Sequence, residues 1–537
     1  MFEPWLFAAD PWTSPPGAQP PPHRDGHAFG PPPHLTPVPK TGALLRTRTL
    51  AAALAVATAA AGLSLTLAPT ASAATSVPDD FNGDGVADLV VATPHAPVDG
   101  RVNAGSVTVL YGSPDGVSPG RSTTLTQNSA GVPGDAGSHS LFGATHASGD
   151  LDADGYADLV IGAPGEAVRY SSSYGTLTVL WGGPDGLTGD GISMASPYAT
   201  SEWSSEKDYG KKVVVADLDG DGVPQIATLS RTNLWAYDDL GGRTAPTDVA
   251  RFHNYNAYIQ PRTLTTADFT SAGRAQLVVT GGENCEGTTG GCQHTAVYTW
   301  SDSGLQEAWL PDPDGDVSGT NEAPTVSTAA GDVDGDGYAD LVTGHVPASA
   351  TTTGEYSDAA GFVHVRYGSA DGLGAHRTAT LDAPGGGRAG DNVGASVAVG
   401  DVTGDGYDDV VAGAPGATVR GVAGTGAAVL LRGSATGLTE TDAQVVHQDT
   451  DGVPGTAETD DWFGSAVDLA DLDGDGMADV TIAAKGEDVL AGSVRDGADW
   501  VLRGSAAGLT TTGATSFSAQ DVGLTAPDAE FGSVLGD

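Results

Sequence analysis

Basic residues are scarce in this chain. Lys and Arg total 23 against 68 Asp and Glu, a formal net charge of −45 at pH 7. Such a chain repels a phosphate backbone, which argues against nucleic acid as a partner. Charged residues amount to only 17%. The helix formers Lys and Glu are thin among abundant Thr, Val, Gly and Asp, and that balance reads as all-β with many turns. Cysteine is nearly absent, and two cysteines in 537 residues fall short of the ligands a zinc site needs. No His-Glu-x-x-His, Walker or Arg-Gly-Asp motif occurs. After residue 73 there is no apolar run long enough to span a membrane.

The N-terminal part does not read as fold. Residues 1–39 carry Pro15-Pro16, Pro20-Pro21-Pro22 and Pro31-Pro32-Pro33 with no apolar periodicity, so they are expected to be disordered or to precede the true translation start. Residues 40–73 have the layout of a signal peptide. Lys40, Arg46 and Arg48 lead into the apolar run Leu50–Leu67, and Ala71-Ser72-Ala73 gives a small-x-small cleavage site. A retained anchor is the weaker reading, because the run is Ala-rich and ends at Pro69. The expectation is a secreted, extracellular and monomeric protein whose folded part is residues 74–537.

What that part has is acidic nine-residue loops. Asp150, Asp152, Asp154 and Asp158 stand at positions 1, 3, 5 and 9 of a run with Gly155 at position 6. Alternating oxygen ligands, a glycine for the sharp turn and a carbonyl at position 7 are how a chain wraps a hard cation. The frame recurs at Asp80, Asn82, Asp84 and Asp88; at Asp217, Asp219 and Asp221, with Gln225 at position 9; at Asp332, Asp334, Asp336 and Asp340; at Asp401, Thr403, Asp405 and Asp409; and at Asp471, Asp473, Asp475 and Asp479. Between the third and fifth copies lies a faded one at Asp268, without Asp at positions 5 and 9. The position-7 carbonyls belong to Val86, Tyr156, Val223, Tyr338, Tyr407 and Met477. Without a cation, four carboxylates in nine residues repel one another. These loops are therefore expected to bind Ca2+ at about five to six sites, on the pattern of the ligand spacing. An EF-hand is excluded. Position 12, where it needs a bidentate Glu, holds Val91, Ile161, Thr343, Ala412 and Ile482. Each loop also lies between two short apolar runs, a hairpin rather than a helix pair.

The surroundings of the loops repeat as well. Eight residues before position 1 stand Phe142-Gly143, Tyr209-Gly210, Phe463-Gly464 and the weaker Val393-Gly394; after the second strand come Gly162-Ala163-Pro164 and Gly413-Ala414-Pro415. Two more strands complete each repeat. The fourth is expected to end in runs such as Val109-Leu110-Tyr111-Gly112-Ser113 and Val501-Leu502-Arg503-Gly504-Ser505. Four-stranded units repeated around an axis form a propeller. The Phe-Gly, acidic-loop and Gly-Ala-Pro pattern resembles the FG-GAP repeat of integrin α-subunit β-propellers and their bacterial secreted relatives. The resemblance implies a seven-bladed, calcium-binding propeller used in binding or adhesion.

Repeat 1 has a loop but no first strand, and the chain ends on Phe531-Gly532-Ser533-Val534-Leu535, a first strand without a loop. The two halves are expected to complete one blade, closing the ring and leaving no free sheet edge. Cys285 and Cys292, in a Gly-rich loop of repeat 4, are expected to pair as a local disulfide that partly substitutes for the missing cation. Catalytic patterns fail in context. Gly116-Val117-Ser118-Pro119-Gly120 lacks a strand-turn-helix setting, and Gly385-Gly386-Gly387-Arg388-Ala389-Gly390 opens no helix. The long segments opposite the acidic loops carry Tyr170, Tyr174, Tyr198, Trp203 and Tyr356, a candidate ligand face for an extracellular protein or a glycan. The expectation is thus a non-enzymatic binding propeller. A lectin-like propeller and a secreted hydrolase are the alternatives.

Overall fold

Short apolar runs divided by Asp-Gly turns form strands throughout. The computed structural model describes residues 77–536 apart from 168–174, 198–206, 238–239, 241, 246–248, 255–258, 284–291, 302–303, 311–324, 347–359, 383–385, 490–494 and 525–526. The N-terminal expectations, disorder over 1–39 and a signal over 40–73, lie outside the described residues. Among the described residues, strands group into seven antiparallel sheets, each following chain order. Blade 2 shows the plan, with Thr145–Gly149, Asp158–Ala163, Thr176–Leu180 and Gly191–Ala195 paired in succession. Blades 3 to 7 begin their inner strands at Lys212, Ile259, Thr325, Val397 and Phe463. Inner strands of successive blades lie side by side. The result is a seven-bladed β-propeller.

The core is divided among the blade junctions. One apolar cluster sits between each pair of neighbouring blades: Val107, Phe142 and Ile161 between blades 1 and 2, for example, and Val429, Val410 and Val363 between blades 5 and 6. Second strands are sandwiched on both faces. Asp158–Ala163, Asp409–Ala414 and Asp479–Ala484 are buried at every position, which is why the sequence shows continuous apolar runs there rather than alternation. Position 2 of each acidic loop plugs a junction from one end. Phe81, Leu151, Leu218, Phe269, Val333, Val402 and Leu472 are all fully buried.

The ring closes as the half-repeats predict. Blade 1 has three strands of its own, Leu89–Thr93, Ser106–Leu110 and Ser122–Leu125. The C-terminal segment pairs with the first of them, and the Ala92 N–H donates to the Val534 carbonyl at 3.0 Å. Phe531 and Leu535 fill the junction between blades 7 and 1 together with Leu89, Leu110 and Phe517.

One sequence expectation is corrected. The runs ending in Tyr111-Gly112, Trp181-Gly182, Tyr367-Gly368, Arg432-Gly433 and Arg503-Gly504 close the third strand of each blade, not the fourth. The fourth strand follows the next turn, as Ser122–Leu125 and Thr510–Ser518 do. The glycine that ends each third strand is required by close approach. A Cβ on Gly112, Gly182 or Gly368 would collide with the backbone oxygen of Ala87, Ala157 or Ala339, at position 8 of the loop.

Candidate metal centres

Each acidic loop is folded by its own carboxylates. In blade 2, Asp150 Oδ1 accepts the Asp154 N–H and Oδ2 the Gly155 N–H, both at 3.0 Å. Asp154 Oδ1 accepts the Tyr156 N–H at 3.1 Å. The same position-1 and position-5 contacts recur at Asp80 and Asp84, Asp332 and Asp336, Asp401 and Asp405, and Asp471 and Asp475. Position 6 needs glycine for its backbone alone. Gly155 has φ +95, and a Cβ there would meet nothing within 4 Å.

Position 9 ties the loop to the rest of the blade. Asp158 is fully buried. One of its oxygens accepts the Leu151 N–H at 2.9 Å, and the other accepts the Gly182 N–H beyond the third strand at 2.9 Å. Asp88, Asp340 and Asp409 hold Gly112, Gly368 and Gly433 in the same way, and Asp479 holds Gly504. Burial pushes the carboxyls of Asp88, Asp158, Asp340 and Asp479 up to about 7 and that of Asp409 to about 6, against the pull of these backbone donors.

Position 3 in blades 2 and 5 holds a buried carboxylate oxygen that no protein donor meets. Asp334 Oδ2 takes a 2.7 Å hydrogen bond from Arg377, while its Oδ1 is buried with no partner. Asp152 likewise binds Arg243, from blade 3, through Oδ2 and leaves Oδ1 buried and unpartnered. An orphaned buried acceptor costs free energy unless something completes it. Ligand oxygens lie within 4.8 Å of one another in Asp150, Asp152 and Asp158, in Asp217, Asp219 and Asp221, in Asp332, Asp334 and Asp336, and in Asp471, Asp473 and Asp475. An all-oxygen donor set with orphaned members fits a hard divalent cation. Positions 3 in blades 1 and 6 hold Asn82 and Thr403, which supply a neutral oxygen instead.

Loops 3 and 4 differ. Gln225 Oε1 accepts the Leu218 N–H at 2.6 Å, doing at position 9 what Asp158 does. Its Nε2 donates to Asp219 Oδ1 at 3.3 Å and to the Val223 carbonyl at 2.8 Å. Gln276 repeats this in blade 4, donating to Thr270 Oγ1 at 3.3 Å and to the Arg274 carbonyl at 2.8 Å. In both loops an amide N–H pair therefore bonds the position-3 and position-7 oxygens that a cation would engage. The Cys285–Cys292 pairing expected to compensate in blade 4 involves Cys285, which lies outside the described residues.

The loops also join the blades. The position-8 N–H of one loop donates to the position-1 carbonyl of the preceding loop: Ala157 to Asp80 at 3.0 Å, Asp408 to Asp332 at 3.0 Å, Ala478 to Asp401 at 2.8 Å. The position-7 side chain covers the position-4 glycine of the same neighbour, as Tyr156 does Gly83 and Tyr407 does Gly335. Val86 of blade 1 meets Gly474 of blade 7, so the chain of contacts passes the point of closure.

Comparison with known proteins agrees with this arrangement. The model of the FG-GAP repeat matches residues 72–110, 142–180, 325–365, 393–431 and 463–502. The chain carries FG-GAP repeats. The repeats matched are those of blades 1, 2, 5, 6 and 7, and the two passed over are the ones with glutamine at position 9. Among curated proteins, the chain is similar to the phosphatidylinositol-glycan-specific phospholipase D of Mus musculus, with 28% identity over 202 residues, 35% of this chain and 22% of that protein. The enzyme of the same name from Rattus norvegicus is 30% identical over 169 residues, 29% of this chain and 19% of that one. The chain thus spans about a fifth of the length of the curated relatives it matches. A solved fungal lectin from Aleuria aurantia, a six-bladed β-propeller, aligns over 68% of this chain and 93% of its own, at 11% identity and a TM-score of 0.32.

The candidate ligand-face residues Tyr170, Tyr174, Tyr198, Trp203 and Tyr356 all lie outside the described residues. On the face opposite the acidic loops, the described residues show a cleft of about 290 Å3 lined by Arg388, Asp391, Val419, Arg420 and His447. Sequence reading passed over it because its residues come from three separate connections. Among the described residues no helix is long and apolar enough to cross a membrane.

Proposed function

We propose that this chain is a secreted, calcium-stabilised propeller that acts by binding an extracellular protein or glycan rather than by catalysis. The observation that carries the calcium reading is the orphaned buried oxygen at position 3, Asp152 Oδ1 and Asp334 Oδ1, within loops whose other oxygens converge. Asp80, Asn82, Asp84 and Asp88 would hold the ion in blade 1, and the corresponding residues of blades 2, 5, 6 and 7 would hold four more. A bound divalent cation supplies positive charge among carboxylates that otherwise repel one another. Because the same loops carry the blade-to-blade hydrogen bonds, that charge stiffens the ring and presents the opposite face as a fixed surface. The similarity to phosphatidylinositol-glycan-specific phospholipase D covers too small a share of that enzyme to bring its activity along, and what is shared is read as the propeller alone. Calcium titration of the purified protein followed by calorimetry tests the first half of the reading; absence of binding at millimolar calcium overturns it. Pull-down from the producing culture with and without calcium tests the second. N-terminal sequencing of protein recovered outside the cells tests secretion, with cleavage near Ala73 expected.

A further inference from the structure

Seven near-equivalent blades make any exception conspicuous, and two acidic exceptions meet at one corner of the central channel. The residue just before position 1 of the acidic loop is Gly149, Ala216, Ala267, Gly331, Gly400 or Ala470 in blades 2 to 7, but Asp79 in blade 1. Three residues before position 1 stand Ala147, Val214, Thr265, Ala329 and Ala398 in blades 2 to 6, but Asp468 in blade 7. The equivalent in the C-terminal strand that completes blade 1 is Gly536. A Cβ on Gly536 would collide with Asp468 Oδ1, so the Asp468 carboxyl occupies the room that this glycine leaves, and it is close enough to Asp79 for their charges to oppose each other.

The corner opens on a cavity of about 270 Å3, lined by Asp79, Asp468, His146, Ser148, Thr265 and Gly536 among others. Ser148 donates to Asp79 Oδ1 at 2.5 Å and holds that carboxyl in place. His146 is only 4% exposed, and its Nδ1 is buried without a partner. Burial keeps this imidazole neutral, down to a pKa of about 4, so it brings no positive charge to the acidic pair. Lys212 lines the adjoining half of the channel. Among the described residues, the acidic groups whose oxygens converge within 4.8 Å belong to the loops described above, and Asp79, Asp468 and His146 do not form one. The spacing therefore suits a cation larger than a bare ion, with several N–H donors to reach separate acceptors.

We propose that this corner of the channel binds an organic cation, a primary ammonium or guanidinium group held between Asp79 and Asp468 with His146 Nδ1 as a further acceptor. The corner adjoins the blade 1 loop, whose Asp88 also lines the cavity and donates its N–H to the Asp79 carbonyl at 3.0 Å, so the test is run with the loops saturated in calcium.

The test is calorimetric titration of the whole protein with 1,4-diaminobutane at low salt and pH 8, with calcium saturating so that the loops are filled. One site is expected, and Asp468→Ala is expected to weaken it at least tenfold. Alanine already stands at this place in blades 2, 5 and 6, so the variant is expected to fold. Asp468→Asn, which keeps the shape and removes the charge, should weaken binding to a similar degree. Absence of diaminobutane binding in the wild-type protein overturns the proposal, as does binding that both variants retain. Binding of magnesium in place of the diamine, abolished by Asp468→Asn, also overturns it and makes the corner a metal site.

Discussion

Gln225 donates its amide N–H to the carbonyl of Val223, two residues away, at 2.8 Å. In the blades with aspartate at position 9, that position has only acceptors to offer, and the position-7 carbonyl is left to a cation. A carboxamide carries both an acceptor and two donors. Gln225 therefore keeps the hydrogen bond to the Leu218 N–H and adds donors where positive charge would sit.

Gln225→Asp is expected to convert loop 3 into a full cation loop. Asp217, Asp219 and Asp221 already converge there. Equilibrium dialysis should show one more calcium bound per chain than in the wild-type protein, five rising to six. In chelator the variant should be less stable than wild type, because the amide donors are gone and four carboxylates face one another. Equal calcium stoichiometry in the two proteins would refute the reading of glutamine as a built-in substitute.

Calcium removal should lower the melting temperature. An ion present at a hundred times its dissociation constant adds about 2.7 kcal/mol per site, and the sites lie at the joints between blades. Differential scanning calorimetry with and without EDTA reads the shift directly. A single-site variant, Asp334→Ala, should lose only part of it, and that variant must still respond to chelator. A melting curve indifferent to EDTA would remove calcium from the account.

His146 should subtract stability on the acid side of neutrality. Burial lowers its folded pKa to about 4 from an ordinary 6.5. Above pH 6.5 neither folded nor unfolded chain carries the proton, so there is no cost. Between 6.5 and about 4 only the unfolded chain takes it up, and stability is lost by up to about 3 kcal/mol. Asp468 acts with the opposite sign, since burial raises its folded pKa to about 7 and acid favours its folded form. The measurement is therefore a comparison. His146→Val, the residue found at this place in blades 3, 6 and 7 as Val213, Val397 and Val467, should flatten denaturant-measured stability between pH 7 and pH 5 relative to wild type. Parallel pH profiles would show that His146 is not the group.

The fold was legible because the repeat writes the same constraint many times. Asp at positions 1 and 5 and Gly at position 6 satisfy the backbone of one turn, and that need shows in sequence without any partner. The complementary ends were equally plain, since a strand without a loop and a loop without a strand ask for each other. What escaped depends on contacts across the sheet. The glycine after each third strand looked like a strand end, but Gly112, Gly368 and their counterparts are there to meet position 9 and the backbone at position 8. Gln225 and Gln276 looked like lost ligands, and only their geometry shows them completing the loop. Asp79 and Asp468 are ordinary acidic residues until the blades are superposed and every counterpart proves small or uncharged.

The closing strand gives the strongest stability prediction. Phe531 is fully buried at the junction of blades 7 and 1, edge-on to Phe517 with ring centroids 6.3 Å apart. Phe531→Ala should cost about 3–5 kcal/mol, the usual penalty for emptying such a position. Deleting residues 528–537 goes further. It removes Phe531 and Leu535 from that junction and Val534 from the next, and it strips the pairing partner from Leu89–Thr93. A seven-part ring has its core in the junctions, so opening one junction exposes apolar surface on two blades and one unpaired strand edge. Thermal unfolding should show a drop larger than that from any single cation-loop substitution. Size-exclusion chromatography should show association through the freed edge. A truncated chain that melts as the full one does, and elutes as a monomer, would mean that the ring does not depend on its C-terminal strand.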